Sequence, residues 1–496
     1  AGLMDIFRSV AASRSDLDWR GFMTMTPDLG KRDGVPVTRS VNMQGTGLAV
    51  LRQQEGRHYL SLDYGDYGGG HGHPDRLAVT WFANGRRWLC DYGTGQYYFD
   101  HLNWYRSTIG HNTLGVDGKQ HEMVNGRCSI FGETPECSAA RGEISGLAPG
   151  VNAARTVVLL SNGLFLDCYQ AESDKPHTYR NTYHSFGSLR LPKPAEPVQL
   201  EGEAYRFLQD TCGYQTEEDG CIAFETEEAT LLLRTLGGEP TGVYGAKAYG
   251  SPRETPRQFP LCILEKKGCR AGFLHLLEDV PANEESCVRG FFQTEEGCGI
   301  LTASGEEYRI GFQHGVTVCK YQDGQLVSFS AFGCRKVPGV LETKLAPESI
   351  CGQKGPEGWM LQAEGHYGQL TLLDGLQGAP VFCGGAKVPE TGELMEGFLL
   401  EKPLDTRLVE GIVNQIQVEL GNYTQKETEI VLNRETAPFP YGLELESSQS
   451  VSLKPGESQI VSLRLVPGGK TDKESRWEFE PCEALALSES PAYGRH

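Results

Sequence analysis

The stretch that decides the fold covers residues 59–120 and reads YLSLDYGDYGGGHGHPDRLAVTWFANGRRWLCDYGTGQYYFDHLNWYRSTIGHNTLGVDGKQ. It consists of short apolar runs separated by turn residues. The pair Asn84-Gly85, between apolar residues 77–82 and 87–90, is a strong signal for a two-residue hairpin. Asp117-Gly118 marks a second turn. This part of the chain therefore predicts antiparallel strands.

Histidines are concentrated in and around the same stretch. It contains four of the twelve histidines of the chain, and a fifth follows directly: His71, His73, His101, His111 and His121. His71 and His73 are two residues apart, so an extended backbone would project both imidazoles to one side. Two imidazoles and one carboxylate from neighbouring segments would make a zinc site with water in the fourth position. The competing interpretation is polar histidines at strand ends, satisfied by hydrogen bonds.

The register expected for the hairpin argues against Asp91 as the carboxylate of this zinc site. A regular pairing around the Asn-Gly turn places Ala78 opposite Asp91. His73 then lies on the other side of the sheet from Asp91, because it is an odd number of residues away from Ala78. Pro74 interrupts the strand and can turn His73 towards Asp91. The sequence thus permits a site of His73, Asp91 and His111 without requiring it.

Composition restricts the partners. The 65 acidic and 46 basic residues give a net charge of −19, which argues against nucleic acid as a partner. The same charge is unfavourable for a polyanionic sugar, although salt screens surface fields beyond about 10 Å. Four arginines in the central stretch can therefore still decide binding locally: Arg76, Arg86, Arg87 and Arg106. No apolar run approaches the roughly 20 residues needed to cross a bilayer, so we expect no membrane-spanning segment.

The fifteen cysteines show no C-x-x-C pair, and their number is odd. This usage does not resemble a disulfide framework and favours reduced, buried thiols and a cytoplasmic location. No signal peptide is visible, but the sequence begins with Ala1, so a leader or an upstream domain can precede it.

The many glycines and short β-branched runs predict an all-β protein, with a large antiparallel β-sandwich followed by a small immunoglobulin-like β-sandwich. Residues 1–45 form an N-terminal segment, in which residues 4–13 have helical spacing, as the last piece of an upstream helical domain would. The large sandwich covers residues 46–400. A linker near residues 401–406 leads into the small sandwich at 401–470, and 471–496 form a polar tail.

Four segments together resemble the C-terminal portion of the heparinase II/III-like polysaccharide lyases. They are GHGHPD (70–75), NGRRWLCDYGTGQY (84–97), YRSTIGHNTLGVDGKQ (105–120) and PHTYRNTYHSFG (176–187). Their order and spacing match jointly, over roughly residues 45 to 335. The resemblance implies a large β-sandwich packed against an N-terminal α/α toroid, with the active site between them. The toroid, which supplies further catalytic groups in that family, is absent from this sequence.

The resemblance also implies residue roles. His71 corresponds to a catalytic histidine, and His73, Asp91 and His111 correspond to zinc ligands. Among the neighbouring side chains, Tyr97, Tyr105 and Arg106 are the candidates for substrate binding, with core packing as the alternative for the aromatic residues. The implied reaction is β-elimination on an acidic, uronate-containing polysaccharide or oligosaccharide. The family tends to be exported, which opposes the cysteine evidence, so the sequence leaves the location open.

Two other functions remain possible from the sequence. One is a non-catalytic carbohydrate-binding or scaffolding sandwich that keeps a structural zinc. The other is a metal-dependent glycan hydrolase, in which zinc polarises water. The implied partners are the acidic polysaccharide and a toroid domain or partner chain, and a homodimer is also possible.

Overall fold

The computed structural model describes residues 38–95, 100–250, 258–313, 315–365, 367–376, 378–383, 386–388, 393–395, 399–401, 407–408, 414–421, 427–432, 443–454, 457–467 and 477–478. The chain divides into two compact units, residues 1–332 and 333–496. The predicted domain boundaries at 45/46, 400/401 and 470/471 stay predictions, and the predicted helix at 4–13 lies outside the described residues.

The first sheet of unit 1 has the strand order β1-β2-β3-β4-β5 and is antiparallel throughout. Its strands are β1 (Val41–Met43), β2 (Leu48–Gln53), β3 (His58–Asp63), β4 (Val79–Ala83) and β5 (Arg86–Leu89). The turn between β4 and β5 is the predicted hairpin. Asn84 and Gly85 both have positive φ, 48° and 82°, as the tight turn that matches strand twist requires.

The second sheet is larger, and its main path runs β11-β14-β15-β17-β10-β9-β8-β7. Its strands are β6 (Leu114–Val116), β7 (Gly126–Glu133), β8 (Cys137–Ala148), β9 (Val151–Leu160), β10 (Phe165–His184), β11 (Ser188–Arg190), β12 (Glu196–Pro197), β13 (Gln209–Thr216), β14 (Gly220–Glu225), β15 (Ala229–Thr235), β16 (Thr241–Tyr249) and β17 (Gln258–Pro281). Strands β9 and β10 form a hairpin, with Phe165 opposite Leu159.

A third sheet in unit 1 is a meander in which each strand pairs antiparallel with the next. Its strands are β18 (Val288–Gln293), β19 (Gly297–Thr302), β20 (Glu306–Gly311), β21 (Val316–Gln322) and β22 (Gln325–Phe332).

The second sheet lies between the other two and buries both faces. In β9, Val157 joins the core shared with β2 to β5, whereas its neighbour Val158 joins the core shared with β18 to β22. This follows from the two-residue period of a strand, which sends adjacent side chains to opposite faces. Phe165 and Leu166 divide in the same way, and Phe165 meets Trp81 across the first interface at a ring distance of 5.6 Å. The prediction of an all-β fold with a large antiparallel sandwich is confirmed.

Unit 2 is also built of strands. The described ones are β23 (Lys336–Val337), β24 (Leu341–Thr343), β25 (Ser349–Gly355), β26 (Gly358–Glu364), β27 (Gln369–Leu372), β28 (Val381–Cys383), β29 (Ala386–Lys387), β30 (Glu393–Met395), β31 (Leu399–Glu401), β32 (Arg407–Leu408), β33 (Asn414–Gly421), β34 (Thr428–Leu432), β35 (Leu443–Leu445), β36 (Gln449–Leu453), β37 (Ser458–Pro467) and β38 (Trp477–Glu478). Antiparallel order β31-β33-β37-β35 covers most of the predicted small sandwich, whose immunoglobulin-like topology stays a prediction.

Helical structure is sparse in the described residues. The α-helix α1 is Leu102–Tyr105, and the 3₁₀ helices are Gln44–Thr46, Gln54–Gly56, Gly69–His71, Thr108–Gly110, Glu203–Phe207 and Asp374–Leu376. No helix in these described parts is long and apolar enough to cross a membrane.

The hairpin departs from the expected regular register. Ala83 faces Arg86 as expected, but a bulge between Phe82 and Trp81 places Trp81 opposite Leu89. One extra residue on β5 moves everything after it to the other parity. The expected pairing of Ala78 with Asp91 is therefore wrong, and the objection to a site of His73 and Asp91 that rested on it no longer holds.

Candidate active site and metal centre

The loop between β3 and β4 carries three of the candidate side chains. The 3₁₀ helix Gly69–His71 ends at Gly72, and the loop continues through His73 and Asp75. Gly72 lies against the backbone of Gly68, where an added Cβ would be 2.6 Å from the Gly68 nitrogen. Glycine is required at this close approach. The contact between Gly68 and Gly72 sets the directions in which the side chains of His71 and His73 point.

Arg76 stabilises this loop through hydrogen bonds from its buried guanidinium. Its side chain is 4 % exposed. Nη1 donates to the carbonyl oxygens of Gly65 and Asp66, and Nη2 donates to Asp75 Oδ1 at 2.6 Å. A buried guanidinium with several fixed acceptors is a rigid element, so Arg76 fixes both the path of the loop and the orientation of the Asp75 carboxylate.

The segment after α1 also stabilises this loop through hydrogen bonds. Arg106 Nη2 donates to the Gly70 carbonyl at 2.9 Å, and Thr108 Oγ1 donates to the Pro74 carbonyl at 2.8 Å. Both bonds end on backbone oxygens beside the histidines. The backbone beside His71 and His73 is thus held from two places, Arg76 at the end of the loop and the segment that contains Arg106 and Thr108.

His111 is placed by its neighbour Asn112, which fills the gap where β4 and the extension of β5 separate. Asn112 Nδ2 donates to the carbonyl oxygens of Val79 and Cys90 at 3.0 and 2.9 Å. The Val79 N–H in turn donates to the Asn112 carbonyl. Because Cys90 precedes Asp91, this amide brings His111 and Asp91 side by side.

A buried ion pair supports the backbone of Leu77 and Asn112. Arg155 and Asp167 are both fully buried and form two bonds, Nε to Oδ1 at 2.9 Å and Nη2 to Oδ2 at 2.5 Å. Nη1 of Arg155 donates to the carbonyl oxygens of Leu77 and Asn112 at 2.7 and 2.6 Å. Tyr183 completes the network by donating its hydroxyl to Asp167. The network connects the backbone at Leu77 and at Asn112 to β9 and β10.

The side chains converge into one cluster. The rings of His73 and His111 are 5.2 Å apart between centroids. Ligand atoms of His73, Asp75 and His111 all lie within 4.8 Å of one another. Asp91 Oδ2 is 2.8 Å from His111 Nδ1, and the buried Nε2 of His111 has no hydrogen-bond partner in the described part of the chain.

The electrostatics of the cluster favour a positive charge at its centre. Burial would raise the pKa of Asp91, but the charge and hydrogen bond of His111 lower it to about 2. Burial would lower the pKa of His111, but Asp91 and Asp75 raise it above its usual value. Burial and the nearby His111 lower the pKa of His73. Two imidazoles facing two carboxylates form a donor set that suits Zn²⁺, so the residues present fit the predicted metal.

The predicted site residues occupy different environments. His71 is exposed at the tip of the loop, and Arg106 is half-buried beside it. Tyr105 is 2 % exposed and donates its hydroxyl to the Gly250 carbonyl at 2.7 Å. Its ring is part of a core, and this placement gives no support to contact with a substrate. Tyr97 lies outside the described residues.

Sequence reasoning missed Asp75. It stands two residues after His73 in the pattern His-x-His-x-Asp, and the same alternation that linked His71 to His73 also pointed to it. The proline between His73 and Asp75 hid the signal, because it breaks regular strand geometry. Asp75 lies in the cluster with His73 and His111, and Asp91 bonds Nδ1 of His111.

The other histidines of the central region have structural contacts. His121 and His184 are buried, and each bonds through Nε2 to a backbone carbonyl, that of Leu114 and Ile109 respectively. Burial lowers the pKa of both to about 4. They are neutral at physiological pH and brace the strands behind the cluster.

Comparison with known proteins identifies the family of this region. Residues 35–196 match the family described as heparinase II/III-like, C-terminal. The match includes the whole cluster and the Arg155–Asp167 network. Residues 35–196 are a heparinase II/III-like C-terminal domain.

Two curated relatives match part of this domain. An alginate lyase from Stenotrophomonas maltophilia is 30 % identical over 169 residues, which cover 29 % of this chain and 23 % of the relative. An exo-oligoalginate lyase from Saccharophagus degradans is 26 % identical over 160 residues, covering 27 % of this chain and 22 % of the relative. The chain thus matches less than a quarter of the length of either enzyme.

Solved structures with similar folds include two further lyases. Heparan sulfate lyase HepC from Pedobacter heparinus is 15 % identical, with a TM-score of 0.44 over 65 % of this chain and 47 % of that chain. A chondroitin AC lyase from Streptomyces coelicolor A3 is 12 % identical, with a TM-score of 0.32 over 85 % of this chain and 47 % of that chain.

Proposed function

We propose that this heparinase II/III-like domain supplies the β-sandwich half of a lyase site that cleaves acidic, uronate-containing polysaccharide by β-elimination. The observation that carries the proposal is the placement of His71. It is exposed on a loop that Arg76, Arg106 and Thr108 hold by four backbone carbonyls. A proton-transfer group needs both access to the substrate and a fixed position.

The reaction requires three contributions. The C5 proton of a uronate becomes acidic enough to remove only when its carboxylate is neutralised. A base then takes that proton, the bond between C4 and the leaving oxygen breaks, and an acid gives a proton to that oxygen. An imidazole suits the base or acid role because it titrates near neutrality. In this proposal His71 serves as one of the two proton-transfer groups.

Zinc is the metal that we propose for the cluster, with His73, Asp91 and His111 as ligands and Asp75 as a neighbouring oxygen donor. When bound, the ion would fix the loop and the strand ends around it, which is structural chemistry. The residues of the chain do the rest. Arg76 orients Asp75, and Asn112 places His111 beside Asp91.

Alginate is the first substrate to test, because both curated relatives act on it according to their names. The chain would be incubated with alginate oligosaccharides, both alone and with a separately expressed toroid domain. Elimination produces a conjugated double bond that absorbs in the ultraviolet, whereas hydrolysis produces reducing ends without that absorbance. New reducing ends without absorbance would refute elimination in favour of the hydrolase.

A matched pair of variants assigns the activity to the site. We expect His71→Ala to lower turnover by at least about 100-fold, the scale of a general acid or base. His177→Ala removes an imidazole of β10 that pairs with Asp117 outside the cluster, and we expect it to leave turnover unchanged. Equal activity of both variants would refute the role of His71. A complex that binds alginate without any turnover would favour the carbohydrate-binding scaffold.

A further inference from the structure

A pocket of about 260 Å³ opens beside the loop that carries His71. Its polar and aromatic lining residues are Asn103, Arg106, Gln120, Glu203, Arg206 and Phe207. We propose that this pocket is a subsite for a single acidic sugar unit, with Arg106 binding the sugar carboxylate. The inference rests on the proposed function, since it assumes a uronate-containing glycan as the ligand. Its volume lies just below the roughly 300–1,000 Å³ of sites for larger ligands.

The walls of the pocket are rigid before any ligand binds. One wall is α1, and another is the 3₁₀ helix Glu203–Phe207. The two helices share an apolar core in which Trp104 and Tyr205 pack against Leu261 of β17. Trp104 also lies 6.3 Å from Phe207 between ring centroids. A preformed wall lowers the ordering cost of binding a small ligand.

Arg106 has the donors that a carboxylate needs. In the described part of the chain its guanidinium makes a single hydrogen bond, to the Gly70 carbonyl, and no ion pair. Its other N–H groups are therefore available, and a planar guanidinium binds a carboxylate through two parallel bonds. The charge of Arg206, in contrast, is already paired with Asp100 at 2.8 Å. Arg106 is thus the cation of this pocket that a ligand can neutralise.

The remaining lining groups suit sugar hydroxyls. Gln120 uses its Oε1 to accept the N–H of Thr108, which leaves its amide N–H groups for a ligand. Glu203 makes no ion pair in the described residues, and its carboxylate can accept from hydroxyl groups. Phe207, with the Arg206 guanidinium 4.7 Å from its ring centroid, adds an apolar surface. A few polar groups beside an apolar surface are typical of small-ligand sites.

Arg106 connects the pocket to the loop that carries His71. Arg106 lines the pocket and also bonds the carbonyl of Gly70, the residue before His71. A uronate held by Arg106 is therefore registered against the loop that carries His71. Such registration is how a bound sugar unit sets the position of the bond to be cleaved.

Calorimetric titration of the full chain with an oligomannuronate trisaccharide tests the subsite directly, because binding is measured without turnover. The carboxyl-reduced trisaccharide is the neutral comparison. We expect Arg106→Met to weaken binding of the acidic sugar at least tenfold, and the neutral sugar to bind at least tenfold more weakly than the acidic one. Glu203→Gln keeps an acceptor oxygen for sugar hydroxyls but removes a like charge, so it should strengthen binding of the acidic sugar. Arg57→Met changes an exposed arginine in the turn between β2 and β3, outside the pocket, and should leave affinity unchanged.

Because Arg106 also holds Gly70, each variant is first compared by thermal unfolding. If Arg106→Met unfolds early, the comparison of acidic with neutral sugar on the unaltered chain and the Glu203→Gln variant decide alone. Equal affinity for both sugars, or a Glu203→Gln variant that binds the acidic sugar more weakly, would overturn the subsite. Lyase activity with Arg106-independent binding would overturn the subsite and leave the proposed function intact. Arg106-dependent binding without any lyase activity, even when a toroid domain is supplied, would leave the subsite intact and overturn the proposed function.

Discussion

Two carboxylates and two imidazoles share a small, partly buried space at the cluster. Asp91 bonds His111 directly, and Asp75 is turned towards the same imidazoles by Arg76. Without a cation, His111 draws a proton to compensate these charges, which is why its pKa is raised. A metal ion satisfies the same charges and replaces that proton. The arrangement therefore suits a cation better than it suits four ordinary polar side chains.

The first prediction is that the protein binds one zinc ion per chain. Elemental analysis of protein purified without chelators should show stoichiometric zinc, and Asp91→Asn should lower zinc affinity by about 10–100-fold, the usual cost of losing a ligand or its carboxylate partner. Glu122→Gln changes an exposed carboxylate near the same segment and serves as the control. Protein without any stoichiometric transition metal would contradict the metal centre.

The second prediction separates the two histidines of the loop. His73 lies in the cluster, whereas His71 is exposed. Because a structural metal adds its binding energy to folding, His73→Ala should lower the melting temperature by about 5 °C or more, a shift that corresponds to roughly 1–2 kcal/mol in a domain of this size. His71→Ala should have little effect. The difference should vanish when a chelator is present, and a larger loss for His71→Ala would contradict the assignment.

The third prediction concerns His275 in β17, which packs against Tyr183 and has no hydrogen-bond partner for either nitrogen in the described residues. Burial lowers its folded pKa to about 3. The unfolded chain therefore binds the proton first, and stability that is complete above pH 6.5 falls as the pH drops towards 3. Between pH 7 and 5 this imidazole should account for a loss of about 2 kcal/mol in the free energy of unfolding.

His275→Met removes the titrating group, so its free energy of unfolding should fall by about 2 kcal/mol less between pH 7 and pH 5 than that of the unaltered protein. Denaturant unfolding at several pH values measures this difference. His177→Gln, at a partly exposed position within β10, serves as the comparison and should retain the original slope. An unchanged slope in His275→Met would show that the proton is taken up elsewhere.

Single residues also show where sequence reasoning stops. His71, His73, Asp91 and His111 could be named because their residue types carry chemistry and their segments match a family. Asp75 was missed because Pro74 conceals its alternation with His73. Tyr105 looked available for a ligand, but nothing in its local sequence shows that a core forms around it. Burial of a single aromatic residue is decided by elements far away in the chain.

The β4–β5 hairpin illustrates the same limit at the scale of elements. Its Asn-Gly turn and the pairing of Ala83 with Arg86 follow from local sequence. The bulge between Trp81 and Phe82 does not follow from it. Beyond the bulge, Asn112 from a third segment enters between Val79 and Cys90, and local sequence does not show that contact either. Strands and turns were predictable here, whereas the register at the site was not.

The fourth prediction concerns the buried pair of Arg155 in β9 and Asp167 in β10. Removing one partner leaves an uncompensated buried charge, which usually costs about 3–5 kcal/mol. Arg155→Met should therefore lower the free energy of unfolding by that amount, and it should also weaken zinc binding, since Nη1 holds the carbonyl of Asn112 beside His111. Denaturant unfolding and metal titration measure the two effects.

The double variant Arg155→Met with Asp167→Leu is the control for this pair. It removes both charges, so it should regain most of the unfolding free energy. Zinc affinity should stay low, because the support of the Asn112 carbonyl is still missing. If the double variant restored zinc binding as well, the pair would act on stability alone and would not position His111.

At the scale of the whole molecule, the strand meander and the burial of both faces of the second sheet explain why an all-β fold could be predicted. Val157 and Val158 point to opposite cores, so the end of β9, residues 157–160, is a continuous apolar run, typical of a strand covered on both sides. The net charge of −19 carries less information, because the proposed uronate subsite depends on a local cation. Averages over 496 residues do not report on the single guanidinium of Arg106.

The last prediction follows from what β-elimination requires. His71 can transfer one proton, but the reaction also needs a second proton-transfer group and a group that neutralises the carboxylate at the reacting sugar. In the family that this chain resembles, an α/α toroid provides these groups. We therefore expect the 496-residue chain alone to show little or no lyase activity, and activity to appear when a toroid domain is supplied. The assay is ultraviolet absorbance of unsaturated uronate products, with the His71→Ala chain plus toroid as the control. Rapid formation of unsaturated products by the chain alone would contradict this expectation and place both acid and base within the sandwich.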